Sequence, residues 1–265
     1  MNKTELLNKY SKDPEERVVL ARVLDQMERT QNRSIPCATH FLSPAQRAAA
    51  ESLLAACGHP KHLFFGGFDS AERTVCVFLP DWAEGEDWIQ DGENPVGAVE
   101  CAFPKDAELS HRDILGALMG IGLTREKVGD IIVLEDKAQI VALKEAIPII
   151  LSQFDQAGRY RLRLREISLW ELSPAPVQVR LVKDTVATLR LDAVLSSGFS
   201  VSRGKAADFI SGGKVSINHR ECTKTDKTVA QGDIITCRGL GKCVLTNVGG
   251  QSKKGRIIIE IERYI

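Results

Sequence analysis

Basic side chains near the carboxyl end of the chain stand where a helix is predicted to begin. Arg203 and Lys205 fall in the first turn of a helix predicted over residues 203–211, with Ser202 as its N-cap. Cations in that turn oppose the helix dipole, which favours anions there, so they cost a little stability. Together with the free N–H groups of the first turn they can bind a phosphate group. The sequence therefore predicts a phosphate-binding corner at this helix end.

A predicted strand follows this helix after two glycines. Residues 214–218 alternate so that the outer face of the strand presents Lys214 and Asn218. Arg220 and Lys224 come next, in a predicted turn. These positions extend the basic character of the region beyond the helix.

Charge is unevenly divided along the chain, although the formal net charge of the 265 residues is zero. Residues 187–265 carry 13 Lys and Arg against 7 Asp and Glu, whereas the preceding residues carry 22 against 28. Such segregation suggests that one end meets a polyanion. The alternative is a chance gradient.

Four arginines alternate with other side chains in the middle of the chain: Arg159, Arg161, Arg163 and Arg165. A strand with a side-chain period of two would place all four on one face. Four guanidinium groups in a row repel one another unless anions or carboxylates face them. One interpretation is a ribbon that binds an RNA backbone, and the other is a solvated face matched by acidic neighbours. The pattern fits both equally.

Motifs of metal sites and enzymes are absent or incomplete. The seven cysteines form no CxxC pair and the five histidines are scattered, so no metal or cofactor is expected. His111-Arg112-Asp113 resembles a kinase catalytic loop, but Leu118 stands where that motif needs Asn. Residues 239–243 resemble a phosphate loop but lack its first glycine and its magnesium-binding Ser or Thr. The sequence therefore predicts a protein that is not an enzyme and has no small-molecule substrate.

Length and composition allow two or three small domains. The chain is 43% hydrophobic and 26% charged, close to the globular average. No signal peptide is visible, and the longest apolar runs fall far short of the roughly 20 residues that cross a membrane. The expectation is a cytoplasmic monomer without membrane contact.

The elements predicted along the chain give an α+β fold. Residues 1–73 are predicted to form a helical or α+β amino-terminal domain. Residues 74–180 alternate between strands and helices, including a helix over residues 137–147, which fits a small α+β middle domain of the RRM type. Residues 171–186, with two prolines, are predicted to lead into a linker. The last domain is predicted to span residues 187–265.

Residues 188–237 strongly resemble the S4 domain of ribosomal proteins, tyrosyl-tRNA synthetases and pseudouridine synthases. The resemblance rests on these residues: Arg190-Leu191-Asp192, Ser202-Arg203, Ala206, Ile210, Gly213, Val215, Asn218 and Gly232-Asp233. It implies the S4-type (αL) fold, in which a helix pair and the following turn bind the phosphates and grooves of structured RNA. The contacts that it implies are Arg190, Ser202, Arg203, Lys205, Lys214, Asn218, Arg220 and Lys224. Asp192 belongs to the same site and is expected to orient Arg190 or Arg203, and His219 stands where many relatives have Gly.

The resemblance extends over most of residues 74–265 to the bacterial YlmH family, whose members join an RRM-like domain to an S4 domain. It rests on these further residues: His111-Arg112-Asp113, Leu115-Gly116, Gly122, Arg125-Glu126-Lys127, Gly129-Asp130-Ile131, Lys253-Lys254-Gly255-Arg256, Glu260 and Arg263-Tyr264. It implies binding to the large ribosomal subunit, through rRNA or tRNA, and a role in rescuing stalled ribosomes that retain peptidyl-tRNA. Further candidates for RNA contact are Arg112, Arg159, Arg161, Arg163, Arg165, Lys253 and Lys254.

Two other functions fit the sequence less well. Pseudouridine synthases often carry an S4 domain and use an Asp after Arg-Leu, but Asp192 lies within the S4 domain itself. Such an enzyme also needs a catalytic domain of roughly 150 residues, far more than follow the S4 motif. The third interpretation is a scaffold that binds proteins through the acidic front half, and its partners would stay attached after nuclease treatment.

Overall fold

The computed structural model describes residues 2–85, 88, 94–174 and 178–265. Helices and strands are mixed throughout, which confirms the α+β class. The chain divides into two compact units, residues 1–175 and 176–265. No helix in the described ranges is both long and apolar enough to cross a membrane.

Three helices pack against a three-stranded antiparallel sheet at the start of the first unit. The helices are α1 (Lys3–Tyr10), α2 (Pro14–Arg33) and α3 (Pro44–Ala56), and the strands are β1 (Cys37–Leu42), β2 (His62–Phe65) and β3 (Thr74–Phe78), in the order β1-β3-β2. The two longer helices begin at good cap residues. Asp13 accepts a hydrogen bond from the N–H of Glu16, and Ser43 forms a capping box with Gln46.

Strand β3 places residues 74–78 in this first sheet. It pairs antiparallel with β1 and with β2, so that Cys37 and His62 both lie opposite Phe78. All five of its residues are buried, because β3 is the central strand. The boundary expected between residues 73 and 74 therefore cuts through a hydrogen-bonded sheet.

A βαββαβ arrangement follows, which is the topology of RRM-like domains. Its elements are β4 (Val96–Ala102), α4 (His111–Gly120), β5 (Val128–Val133), β6 (Lys137–Leu143), α5 (Ile147–Gln153) and β9 (Arg163–Ile167), with a small hairpin of β7 (Gln156–Ala157) and β8 (Tyr160–Arg161) before β9. The antiparallel sheet has the order β5-β6-β4-β9, and both helices pack on one of its faces. This strand order agrees with the RRM-like expectation.

The prediction of a helix over residues 137–147 is wrong for most of that range. Residues 137–143 form β6, which pairs with both β4 and β5. Ala138 and Ile140 pack with the helices, whereas Val141 packs on the opposite side of the sheet. A strand that is buried on both faces has no apolar alternation, so its sequence is easily taken for a helix.

The single strand expected over residues 159–165 is interrupted at Leu162. This side chain is buried in the core of the four-stranded sheet, and its N–H donates to the carbonyl oxygen of Asp155 at 2.8 Å. The interruption separates β8 from β9. The prediction that the four arginines share one strand face is therefore wrong.

The second unit is a six-stranded antiparallel sheet with two helices. Its elements are β10 (Val179–Val186), α6 (Leu191–Phe199), α7 (Arg203–Ser211), β11 (Val215–Ile217), β12 (Arg220–Glu221), β13 (Ile234–Cys237), β14 (Gly241–Gln251) and β15 (Ile257–Tyr264), in the order β10-β15-β14-β13-β11-β12. The helices bury their apolar sides against the sheet in a core that includes Leu195, Ile210 and Ile261. The bounds of α7 agree with the prediction.

The prediction that residues 171–186 lead into a linker is wrong from residue 179 onward, and residues 175–177 lie outside the described part of the chain. Strand β10 pairs with β15 along its whole length, from Val179 opposite Tyr264 to Val186 opposite Ile257. Most of its side chains are exposed. It therefore lacks the apolar alternation that marks a half-buried strand in a sequence. The second unit begins before residue 187, where the sequence placed the start of the last domain.

Candidate RNA-binding surface

A buried carboxylate holds two arginines at the start of the helix pair in the second unit. Asp192 accepts hydrogen bonds from Nε and Nη2 of Arg190 at 3.2 and 3.1 Å, and from the same two atoms of Arg203 at 3.2 Å each. Asp192 is only 6% exposed, whereas the side chains of Arg190 and Arg203 are 39% and 55% exposed. Each guanidinium group is thus fixed at two points and keeps further donors for a ligand. We call these three residues the arginine clamp.

The two arginines keep the carboxyl group of Asp192 ionised. Burial alone would raise its pKa, but the hydrogen bonds and positive charges of Arg190 and Arg203 outweigh burial and hold the pKa below its ordinary value. The hydrogen bond to Asp192 in turn raises the pKa of Arg190. At neutral pH the clamp therefore carries two positive charges and one negative charge.

The loop that follows β12 lies beside the arginine clamp. The N–H of Leu191 donates to the carbonyl oxygen of Lys227 at 2.8 Å, and the N–H of Asp192 donates to that of Thr225 at 3.1 Å. Lys224 and Lys227 are both exposed in this loop. Sequence reasoning selected Lys224 but missed Lys227. The signal that could have found it is the run of basic residues after β11.

Helix α7 begins at the same surface. The hydroxyl oxygen of Ser202 accepts from the N–H of Lys205 at 3.2 Å, so Ser202 is the N-cap, as predicted. Arg203 and Lys205 occupy the first turn and are exposed. The role of Ser202 in the helix is clear, and its contact with RNA stays a prediction. We call Arg190, Arg203, Lys205, Lys224 and Lys227 the cationic surface.

The hairpin of β11 and β12 carries the other predicted contacts. Lys214 is exposed before β11. Asn218 is engaged within the hairpin turn, because its Nδ2 donates to Asp233 at 2.8 Å and its Oδ1 accepts from the N–H of Ile234 at 2.9 Å. The contact between Asn218 and RNA therefore has no support from the geometry and stays a prediction.

The turn between β11 and β12 explains the unusual residue at position 219. Asn218 and His219 have φ angles of 48° and 63°. A two-residue hairpin turn with two positive φ angles favours Asn followed by Gly. His219 adopts this backbone conformation at some cost in free energy. Arg220, which follows it, is exposed.

The sheet face that RRM domains use to stack RNA bases is covered in this protein. It lies opposite α4 and α5, and there Val96, Val141 and Leu143 pack against Phe41 and Val75 of the first sheet. All five side chains are buried. The strands β4 and β6, which lie at the centre of the sheet, also contain no aromatic residue. This domain therefore cannot stack bases in the usual RRM manner.

The segment after β9 crosses the remaining part of that face. Gln139 on β6 donates to the carbonyl oxygen of Glu171 at 3.0 Å and accepts from the N–H of Ser173 at 2.7 Å. Arg165 donates to the carboxylates of Glu100 and Glu171, each at 2.9 Å. Acidic neighbours therefore pair with Arg165. This agrees, for Arg165, with the interpretation of a face that is matched by acidic neighbours.

The other basic candidates outside the cationic surface are exposed. Nη2 of Arg159 donates to the hydroxyl of Tyr160 at 2.8 Å. Arg161 and Arg163 form no ion pair with the residues that the structure describes, and Arg112 lies in the first turn of α4. Lys253 and Lys254 are exposed in the turn between β14 and β15. Contact of these residues with RNA stays a prediction.

The motif that resembles a kinase loop has a structural role. Asp113 accepts from the N–H of Ser110 at 2.9 Å and completes a capping box at the start of α4.

Within residues 2–85, 88, 94–174 and 178–265, no three His, Cys, Asp or Glu side chains are grouped so that they could hold a metal ion.

Comparisons with known proteins match both units of the chain. Three family models match: the YlmH amino-terminal region at residues 15–79, an RNA-binding domain in YlmH at residues 95–171, and the S4 domain at residues 189–235. The ribosome-associated protein quality control protein P2 of Bacillus subtilis (strain 168) is 32% identical over 260 residues, which cover 98% of this chain and 99% of that protein. A solved structure of the cell division protein ylmH from Streptococcus pneumoniae is 24% identical, with a TM-score of 0.49 over 61% of this chain and 96% of that chain.

Proposed function

Because the chain belongs to the YlmH family of S4-domain RNA-binding proteins, we propose that it binds structured RNA on the large ribosomal subunit and catalyses no reaction. The RNA is rRNA, tRNA or both, and the protein acts as a monomer in the rescue of stalled ribosomes that retain peptidyl-tRNA. The similarity to the B. subtilis ribosome-associated protein quality control protein P2 supports this role.

The observation that carries the proposal is the cationic surface. Its five basic residues come from the start of α6, the start of α7 and the adjacent loop, and Asp192 fixes the direction of two of them. Arginine donors that are fixed in this way fit phosphate oxygens, and structured RNA is recognised largely through its phosphates and 2′-hydroxyl groups. The three lysines add charge that can follow a phosphate backbone.

The geometry of Asp192 argues against a pseudouridine synthase. A catalytic carboxylate has to reach the base on which it acts. Asp192 is 6% exposed and accepts four hydrogen bonds from Arg190 and Arg203. It is therefore placed to position arginines and not to attack a base.

The experiment that tests the proposal removes two lysines of the cationic surface. Lys205 and Lys224 are exposed and form no ion pair with the residues that the structure describes, so the double variant Lys205→Ala/Lys224→Ala should keep its stability. Each phosphate contact contributes about 1 kcal/mol. We therefore expect roughly 30-fold weaker binding to purified large ribosomal subunits, measured by co-sedimentation over a range of subunit concentrations.

A control variant separates a local effect from a general effect of charge. Arg29→Ala/Arg33→Ala removes the same charge from exposed positions on α2 and should leave the affinity nearly unchanged. If both variants weakened binding to the subunit equally, the overall charge of the protein would account for the interaction. An unchanged affinity in the lysine variant would refute the proposed function.

A further inference from the structure

A groove of about 530 Å³ crosses the second unit between β10 and α6. Its lining includes Arg203 of the cationic surface and also Arg256, which comes just before β15. The S4 family model covers residues 189–235. Strand β10 and Arg256 lie outside that range, so the groove joins the S4 motif to parts of the unit that the motif does not include.

Arg256 is held in place at the edge of this groove. Its Nε donates to the hydroxyl oxygen of Thr185 at 3.0 Å, and its Nη2 donates to the carbonyl oxygen of the same residue. The turn before it is closed by a hydrogen bond from the N–H of Ser252 to the carbonyl oxygen of Arg256 at 2.7 Å. Arg256 is exposed, so donors of its guanidinium group remain available to a ligand.

The wall of the groove also offers an acceptor. Asp184 is exposed, and its carboxylate accepts from the hydroxyl group of Ser197 at 2.7 Å. A carboxylate repels a phosphate but accepts hydrogen bonds from hydroxyl and amino groups. A ligand that suits this groove therefore carries an anionic group for the arginines and a donor for Asp184. A ribonucleotide carries both.

We propose that the groove receives one unpaired ribonucleotide of the RNA that the cationic surface binds. Its phosphate lies toward Arg203 and Arg256, and its 2′-hydroxyl or base amino group lies toward Asp184. The groove has the size of a small-molecule site, and proteins that recognise RNA commonly contact unpaired nucleotides. This inference rests on the proposed function, because the cationic surface has to hold the flanking RNA.

The test compares two RNA probes, a perfectly paired hairpin and the same hairpin with one bulged nucleotide. We expect the wild-type chain to bind the bulged hairpin about tenfold more tightly, which corresponds to one or two hydrogen bonds in the groove. In the Arg256→Ala variant this preference should fall below about threefold, while the affinity for the paired hairpin changes little. The matched control Arg180→Ala removes an exposed arginine from the other end of β10 and should keep the preference.

A second variant covers the case in which the loss of Arg256 disturbs its turn. Asp184→Ala should lower the preference for a ribonucleotide over a 2′-deoxynucleotide at the bulge and leave binding to the paired hairpin unimpaired. A wild-type chain without preference for the bulge, or an Arg256→Ala variant that weakens both hairpins equally, would overturn the inference. Failure of the proposed function would give a different result. The Lys205→Ala/Lys224→Ala variant would then leave the affinity for both hairpins unchanged.

Discussion

Replacing Asp192 with alanine is expected to weaken RNA binding and to destabilise the second unit. The change removes four charge-assisted hydrogen bonds and leaves two guanidinium groups facing each other. Because both arginines are partly exposed and regain water, we expect a loss of about 2 kcal/mol in the free energy of unfolding. Arg190 and Arg203 also lose their fixed direction, so affinity for rRNA should fall at least roughly tenfold.

The pH dependence of this effect follows from the lowered pKa of Asp192. The carboxylate contributes stability above the pKa that it has in the unfolded chain, about 3.9, and this contribution is lost as the pH falls through the lower folded value. The difference in unfolding free energy between wild type and Asp192→Ala should therefore be constant near neutral pH and shrink below about pH 4. Urea unfolding over a pH series measures it. A difference that grows on acidification would contradict the clamp, and Asp208→Ala, which removes an exposed carboxylate from α7, serves as the control.

Replacing Phe41 with alanine should cause a large loss of stability in the first unit. Phe41 is 2% exposed and packs with Val96 and Val141 between the two sheets. Its ring lies so close to the backbone of Gly129 that a Cβ atom there would come within 2.8 Å of it. Removal of a buried phenylalanine from such a site costs about 3–5 kcal/mol.

Urea unfolding followed by tryptophan fluorescence, to which the buried Trp88 of the same cluster contributes, measures this loss. The control Val18→Ala shortens an exposed side chain on α2 and should change the unfolding free energy by less than about 0.5 kcal/mol. A loss below about 1 kcal/mol for Phe41→Ala would mean that the first sheet does not close the RRM-like face.

The parts of the candidate site that could be predicted from the sequence depend on local signals. The N-cap at Ser202 and the basic first turn of α7 are set by neighbouring residues, so they are found where the sequence places them. The sequence predicted that Asp192 orients either Arg190 or Arg203, but it did not predict that Asp192 binds both. Its full geometry depends on how α6 packs against α7, which no local pattern encodes.

The errors at β6 and β10 arise because the surroundings of these strands depend on distant segments of the chain. Strand β6 is buried on both faces because a helix layer and a second sheet cover it, whereas most side chains of β10 are exposed. Neither strand shows the alternation that reveals a half-buried strand. The groove beside β10 could not be predicted for the same reason, since Thr185 and Arg256 meet only after β10 pairs with β15.

The dependence of RNA affinity on salt tests the central claim most directly. Each neutralised phosphate releases counterions, so the logarithm of the association constant for purified rRNA should fall linearly with the logarithm of salt concentration, with a slope of about −0.7 to −0.9 per contact. For Lys205→Ala/Lys224→Ala we expect a slope that is shallower by about 1.5, because two contacts are lost. A wild-type affinity that does not depend on salt, or an identical slope in the variant, would contradict the assignment of RNA binding to the cationic surface.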